Sequence, residues 1–220
     1  MIDILLTAVC IASGGLIVYH HAIYPLILRW YSRKHPSVAM KDVDRGYRSG
    51  EGDSRLPSVT ILVPAYNEEQ WIADKIRNLA ALDYPRNKLR VVIACDGCTD
   101  NTVNFAQMTI QEAICSDIHF EIHDHKENRG KVAVLNSELA NIDTDITALS
   151  DVSALISLDS LLIASEHFSD DRVGVVNATY CLCPSENQGE VSYWAYQTAI
   201  KKSEASFGSS LGAHGAFYLF

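Results

Sequence analysis

Four short apolar runs, Val59 to Val63, Leu89 to Ala94, Ile118 to Ile122 and Ile146 to Leu149, each give way to a cluster of charged and amide residues. Several are β-branched and nearly continuous, as strands covered on both faces must be. A fifth run, Val173 to Ala178, reads the same way. Between them lie helix-like stretches. In Glu68 to Leu82 the apolar positions Ile72, Ile76 and Leu79 recur at helical spacing, and Tyr84-Pro85 ends the pattern. Further helices are expected over Thr99 to Ile114, Lys131 to Leu139 and Leu158 to Phe168. Strand and helix in alternation predict an α/β fold: a Rossmann-like, mostly parallel sheet with helices on both faces. In such sheets ligands bind beyond the carboxyl ends of the strands.

The clusters PAYNEE, CDGCTDN, HDHKENRGK and SDVS fall at those ends. Each has a plain structural explanation, since Asp, Asn and Gly are common in turns and caps. Glu68 and Glu69 suit the first turn of a helix, whose dipole favours acids. The functional alternative gives Tyr66 a flat face for a nucleobase and makes Glu68 an acceptor for base or ribose. In the second cluster Gly97 makes the turn, Thr99 or Asp100 caps the next helix, and Asp96 is left over to accept an imide hydrogen. An unpaired buried carboxylate there is costly. Asn128-Arg129-Gly130-Lys131 joins basic groups to the start of a helix, which suits a diphosphate. Asp151, facing a diphosphate, is placed to hold Mg²⁺ or Mn²⁺ through oxygen.

The other candidate ligands read as ordinary structure. Six cysteines, Cys10, Cys95, Cys98, Cys115, Cys181 and Cys183, lie in apolar stretches of a chain too long to need stapling. They fit buried thiols in a reducing compartment better than disulfides or zinc. His119, His123, Asp124 and His125 resemble a metal set on paper, with His123 and His125 on one strand face. Imidazoles at a strand end are more often solvated or hydrogen-bonded. The net charge of −9 argues against nucleic acid as a partner.

The first thirty residues differ. From Ile2 to Tyr19 the only charge is Asp3, and AIYPLIL continues the apolar run to Arg29. About 20 such residues span a bilayer. Arg29, Arg33, Lys34, Lys41, Arg45 and Arg48 follow, and no Lys or Arg precedes. The positive-inside rule then predicts a single-pass anchor in the inner or plasma membrane, with the rest of the chain cytoplasmic. The expected organisation is a transmembrane anchor over 1–30 in contact with membrane lipid, a basic and polar linker over 31–56, and the α/β domain over 57–220.

The ordered set PAYNEE, CDGCTDN, ENRGKVAVLN and LSDVS resembles the GT-A domain of family-two glycosyltransferases, the group of cellulose-, chitin- and hyaluronan-synthase-like enzymes. Tyr193 to Gln197, and Gly212 to Tyr218, resemble the segment before that family's acceptor site. The resemblance implies a nucleoside pocket lined by Pro64, Tyr66 and Glu68, a base contact at Asp96, Lys131 near the donor, and Asp151 on a metal–diphosphate. The implied reaction is displacement with inversion, from a UDP-sugar donor to a glycan or lipid-linked acceptor. Where the family has Asp-x-Asp this chain reads Asp151-Val152-Ser153, so the second metal contact passes to Ser153 or water. The family's general base is expected beyond Phe220, which makes the domain incomplete at its C-terminus. Two alternatives remain open at this point: a catalytically inactive nucleotide-sugar-binding fragment, and a nucleotidyltransferase of similar winding.

Overall fold

The computed structural model describes residues 2–35, 50–181 and 188–220. Residues 36–49 of the polar linker, with Lys41, Arg45 and Arg48, lie outside them, as does Cys183. By internal contacts the chain divides into two compact units. One comprises Met1–Ala39 with Thr179–Gly212, and the other Met40–Ala178 with Ala213–Phe220.

In the first unit helix α1 (Ile2–Val18) passes through a π-helical turn (Tyr19–Ile23) into α2 (Tyr24–Lys34). Pro25 lies at the start of α2 and offers no backbone N–H to the turn before it, an established cause of such irregularity. The continuous helix Ile2–Lys34 is long and apolar enough to cross a membrane, and its most apolar window is wholly unburied. A further helix, Gln188–Ala205, belongs to the same unit. There Tyr24 Oη donates to Glu204 Oε1 at 2.8 Å, and Tyr31 stacks on Phe207 with ring centroids 3.8 Å apart.

The second unit is the expected α/β layer structure. Strands β1 (Val59–Ala65), β2 (Leu89–Asp96), β3 (His119–His125) and β4 (Ile146–Ser150) are parallel. Two short strands, β5 (Val176–Asn177) and β6 (Phe217–Leu219), complete the order β3-β2-β1-β4-β6-β5. The fifth run departs from expectation. Val173 to Ala178 shrinks to two residues and does not join β4; β6 lies between them, antiparallel to both. Strand β3 runs three residues past Ile122, so His123, Asp124 and His125 belong to the ladder and not to a loop.

Alternation along β1 explains why both faces are covered. Val59, Ile61, Val63 and Ala65 pack with Ile72, Ile76 and Leu79 of α3 (Ile72–Ala80), Ala106 of α4 (Thr102–Thr109) and Leu161 of α6 (Ser160–His167). Leu62 turns to the other face, with Val92, Ala94, Leu149 and Val134 of α5 (Lys131–Leu139). Asp145 ties the start of this sheet, accepting from both the amide and the hydroxyl of Ser58 at 2.7 Å. Because β1, β2 and β4 are parallel, their carboxyl ends share one rim, and the polar clusters are delivered there.

Candidate functional site

The first two clusters are zipped together. Asn67, at φ 54°, accepts from the Thr99 amide at 2.8 Å and donates to the Thr99 hydroxyl at 3.1 Å. The Thr102 hydroxyl accepts from the Glu68 amide at 2.7 Å, and Asp100 accepts from the Glu69 amide at 3.2 Å. Glu69 Oε2 in turn accepts from the backbone and side-chain nitrogens of Asn101 at 3.0 and 3.1 Å. The helix expected from Glu68 begins at Ile72 and has no side-chain cap. The two glutamates therefore do not cap their own helix; Glu69 binds the neighbouring loop, and the Glu68 carboxylate lies in the field of Asp151, Asp100 and Lys131. Burial first, then the charges of Asp151 and Asp100, raise the Glu68 pKa, while Lys131 lowers it.

Asp96, only 4% exposed at the end of β2, accepts one hydrogen bond at each carboxylate oxygen. Its Oδ1 accepts from the Arg129 amide at 2.9 Å and its Oδ2 from the Gly130 amide at 2.8 Å. The Asn128 side chain donates to the Asp96 carbonyl at 3.1 Å. This clamp holds the Asn128–Gly130 loop against β2 and fixes where α5 starts. Gly97 makes the approach possible: at φ +65°, a Cβ there would lie 2.4 Å from the Asn128 nitrogen. Lys131, the first residue of α5, then reaches Asp151 with Nζ 2.5 Å from Oδ1.

Glu68, Lys131 and Asp151 thus form one electrostatic group, with Asp96 positioning the loop that carries Lys131. Pro64 lies within β1, beyond Leu62, the last residue paired with β4, so its missing N–H costs no bond on that side. Tyr66 follows the strand, half exposed. Ser153 is exposed beside Asp151.

The oxygens on this turn are of the type that a hard divalent cation takes. Asp151 offers one oxygen engaged by Lys131 and a second without a partner among the described residues, with the Ser153 hydroxyl and the Glu68 carboxylate nearby in sequence or in field. Among the described residues no cluster of three or more His, Cys, Asp or Glu is arranged around a metal. A cation here would therefore share its coordination with a ligand's own oxygens.

The remaining candidates take structural parts. His123 Nδ1 and His125 Nε2 each lie 2.7 Å from a different oxygen of buried Glu138 on α5. Glu121 makes a bidentate pair with Arg90, which holds its carboxyl down at about 2. Cys95 is buried, and that burial, then neighbouring Cys98, pushes its thiol up to about 12, far from a reactive thiolate. One residue with a direct bearing on the rim is absent from the motif reading: Lys75, fully buried on α3, reaches Ser150 and Ala154 on either side of Asp151. Its signal lies in the helical pattern itself, because Lys75 shares the apolar stripe of Ile72, Ile76 and Leu79.

The chain is 28% identical over 170 residues to the poly-beta-1,6-N-acetyl-D-glucosamine synthase of Staphylococcus aureus, covering 75% of this chain and 40% of that protein. Over 126 residues it is 32% identical to the beta-monoglucosyldiacylglycerol synthase of Trichormus variabilis, covering 57% and 26% respectively. The chain therefore spans less than half the length of these relatives. A mannosyltransferase of Pyrobaculum calidifontis, solved in complex with GDP-Man and Mn²⁺, superposes with a TM-score of 0.71 over 95% of this chain and 55% of its own, at 24% identity. The fold is GT-A. Residues 60–216, the segment carrying all four rim clusters, match glycosyl transferase family 2, and the chain belongs to that family.

Proposed function

We propose that the rim binds a nucleoside-diphosphate sugar, and that the chain serves in transferring that sugar, with inversion, to a glycan or lipid-linked acceptor. The observation that carries this reading is the Lys131–Asp151 pair at 2.5 Å, held at the strand ends by the Asp96 clamp. Here a cation and a carboxylate stand at a helix start, where free N–H groups favour a diphosphate. Lys131 neutralises phosphate oxygen directly and Asp151 holds Mg²⁺ or Mn²⁺. Such an ion, when bound, offsets charge on the departing diphosphate. Pro64, Tyr66 and Glu68 form the nucleoside side of the pocket, with uridine as the base. Asp96 keeps the second lone pair of each carboxylate oxygen for that base while it anchors the loop.

The names of the relatives support a polymeric or lipid acceptor, since one makes a polysaccharide and the other a glycolipid. The helix Ile2–Lys34, with Arg33 and Lys34 in its last turn, supports a membrane anchor with the α/β unit on the cytoplasmic side. The test is release of UDP from UDP-N-acetylglucosamine and UDP-glucose by the membrane-embedded chain, with membrane lipid extract or oligosaccharide as acceptor. Acceptor-dependent release that is lost in Asp151→Ala is expected. Release that is indifferent to Asp151→Ala would remove the site from the reaction.

A further inference from the structure

Among the described residues of the α/β unit, Lys75 is the most deeply buried charged side chain, at 0% exposure. It has no ion-pair partner among the described residues. Its Nζ donates to the Ser150 hydroxyl at 2.6 Å and to the Ala154 carbonyl, so it grips the residues that bracket Asp151-Val152-Ser153. The grip extends further. Ser150 Oγ donates to the Ala216 carbonyl at 3.2 Å, and the same carbonyl accepts from the Asp151 amide at 3.0 Å. Lys75, Ser150, Ala216 and the Asp151 backbone form one closed chain of bonds that joins α3, the end of β4 and the residue before β6.

This arrangement is poor economy for stability alone. An amine buried among apolar side chains and offered only neutral acceptors loses its hydration, and a methionine or leucine on the same stripe would bury as much apolar surface without that loss. Desolvation accordingly lowers the Lys75 pKa to about 7, with the Asp151 charge acting in the opposite direction. Both bonds of the amine end on one turn, and Asp151 is the one carboxylate which that turn carries.

We propose that Lys75 is a positioning residue for the metal–diphosphate subsite: through Ser150 and Ala154 it fixes the Asp151–Ser153 turn from beneath, as Lys131 engages Asp151 from the rim. This rests on the donor-site reading above. With Asp151 its single acid, the Asp151-Val152-Ser153 turn cannot rely on two carboxylates converging on a cation to set its shape. The lysine supplies the constraint from the protein side.

The test uses the full chain in detergent and titrates UDP and GDP with and without Mn²⁺. The readout is the gain in affinity that Mn²⁺ confers on whichever nucleotide binds. Lys75→Met keeps the volume and removes both donors; it is expected to cut that gain about tenfold, the usual effect of losing a partner behind a metal-binding group, and to leave metal-free binding unchanged. Ser150→Ala should give a similar cut, and the double variant should add little to either. A merely structural role would lower the melting temperature and leave the Mn²⁺ gain intact in both variants, which would overturn the proposal. If Lys75→Met does not fold, Ser150→Ala decides alone, and an unchanged gain in it overturns the proposal. A wild-type chain whose nucleotide binding ignores Mn²⁺ fails before any substitution is made, and that outcome removes the metal–diphosphate site itself.

Discussion

Lys131 Nζ lies 2.5 Å from Asp151 Oδ1, bridging the start of α5 and the turn after β4. Both side chains are more than a third exposed, so water screens the pair and its worth to folding is below about 1 kcal/mol. Its significance is electrostatic placement at the rim. Asp151→Asn should leave the melting temperature within a few degrees of wild type and abolish the effect of Mn²⁺ on nucleotide affinity. Calorimetric titration with and without the metal checks this.

Asp96 differs in kind, because its carboxylate is buried and takes two backbone N–H groups. Asp96→Ala strands both donors and should cost about 3 kcal/mol in denaturant unfolding. Asp96→Asn retains one acceptor and should cost less. Nucleotide affinity should fall in both, since the loop before Lys131 loses its anchor.

Gly97→Ala places a Cβ 2.4 Å from the Asn128 nitrogen, on backbone that cannot simply rotate away. A loss of about 2 kcal/mol or more is expected from the clash and the positive φ together. Gly130 has φ +85° but nothing within 4 Å of the added carbon. Gly130→Ala should therefore cost less than Gly97→Ala in the same unfolding experiment.

The pKa of Glu68 is raised in the folded state, chiefly by burial and then by Asp151 and Asp100. Its charged form is thus disfavoured by folding, and at neutral pH the carboxylate is a liability. Glu68→Gln should raise the melting temperature at pH 7 and weaken nucleotide binding. A variant that is both less stable and fully competent in binding would contradict the assignment.

Lys75 has a folded pKa near 7, against 10.5 for the free side chain. Between those values the unfolded chain binds more protons than the folded one, so stability gains with rising pH, and below pH 7 the penalty is fully present. Unfolding free energy of the wild type should rise relative to Lys75→Met from pH 7 to pH 9.5. Parallel curves for the two proteins would mean that the amine is not desolvated as described.

The central strands and the rim were legible because they depend on local signals. Ile61 to Val63 and Val91 to Ala94 are apolar throughout, as strands packed by Ile76 on one face and Val134 on the other have to be. Strand β3 is an edge strand, where His123 and His125 find Glu138, so its apolar pattern stops at Ile122 although its ladder continues to His125. The insertion of Phe217–Leu219 between β4 and β5 is a non-local pairing that no local pattern announces. The partners of the rim carboxylates lie beyond any local pattern. Glu69, read as a first-turn acid, accepts from Asn101, and Asp96, read as left over at the strand end, accepts from the Arg129 and Gly130 amides of a neighbouring loop. Lys75 escaped because a lysine is read as a solvated residue until its helix is docked.

The central claim is a metal-assisted nucleoside-diphosphate site at the ends of β1, β2 and β4. The most direct test is titration of the full chain with UDP in the presence and absence of Mn²⁺, with GDP and ADP as controls. The account predicts UDP binding that tightens with Mn²⁺ and exceeds that of GDP and ADP. Binding of none of the three, with or without Mn²⁺, would contradict it.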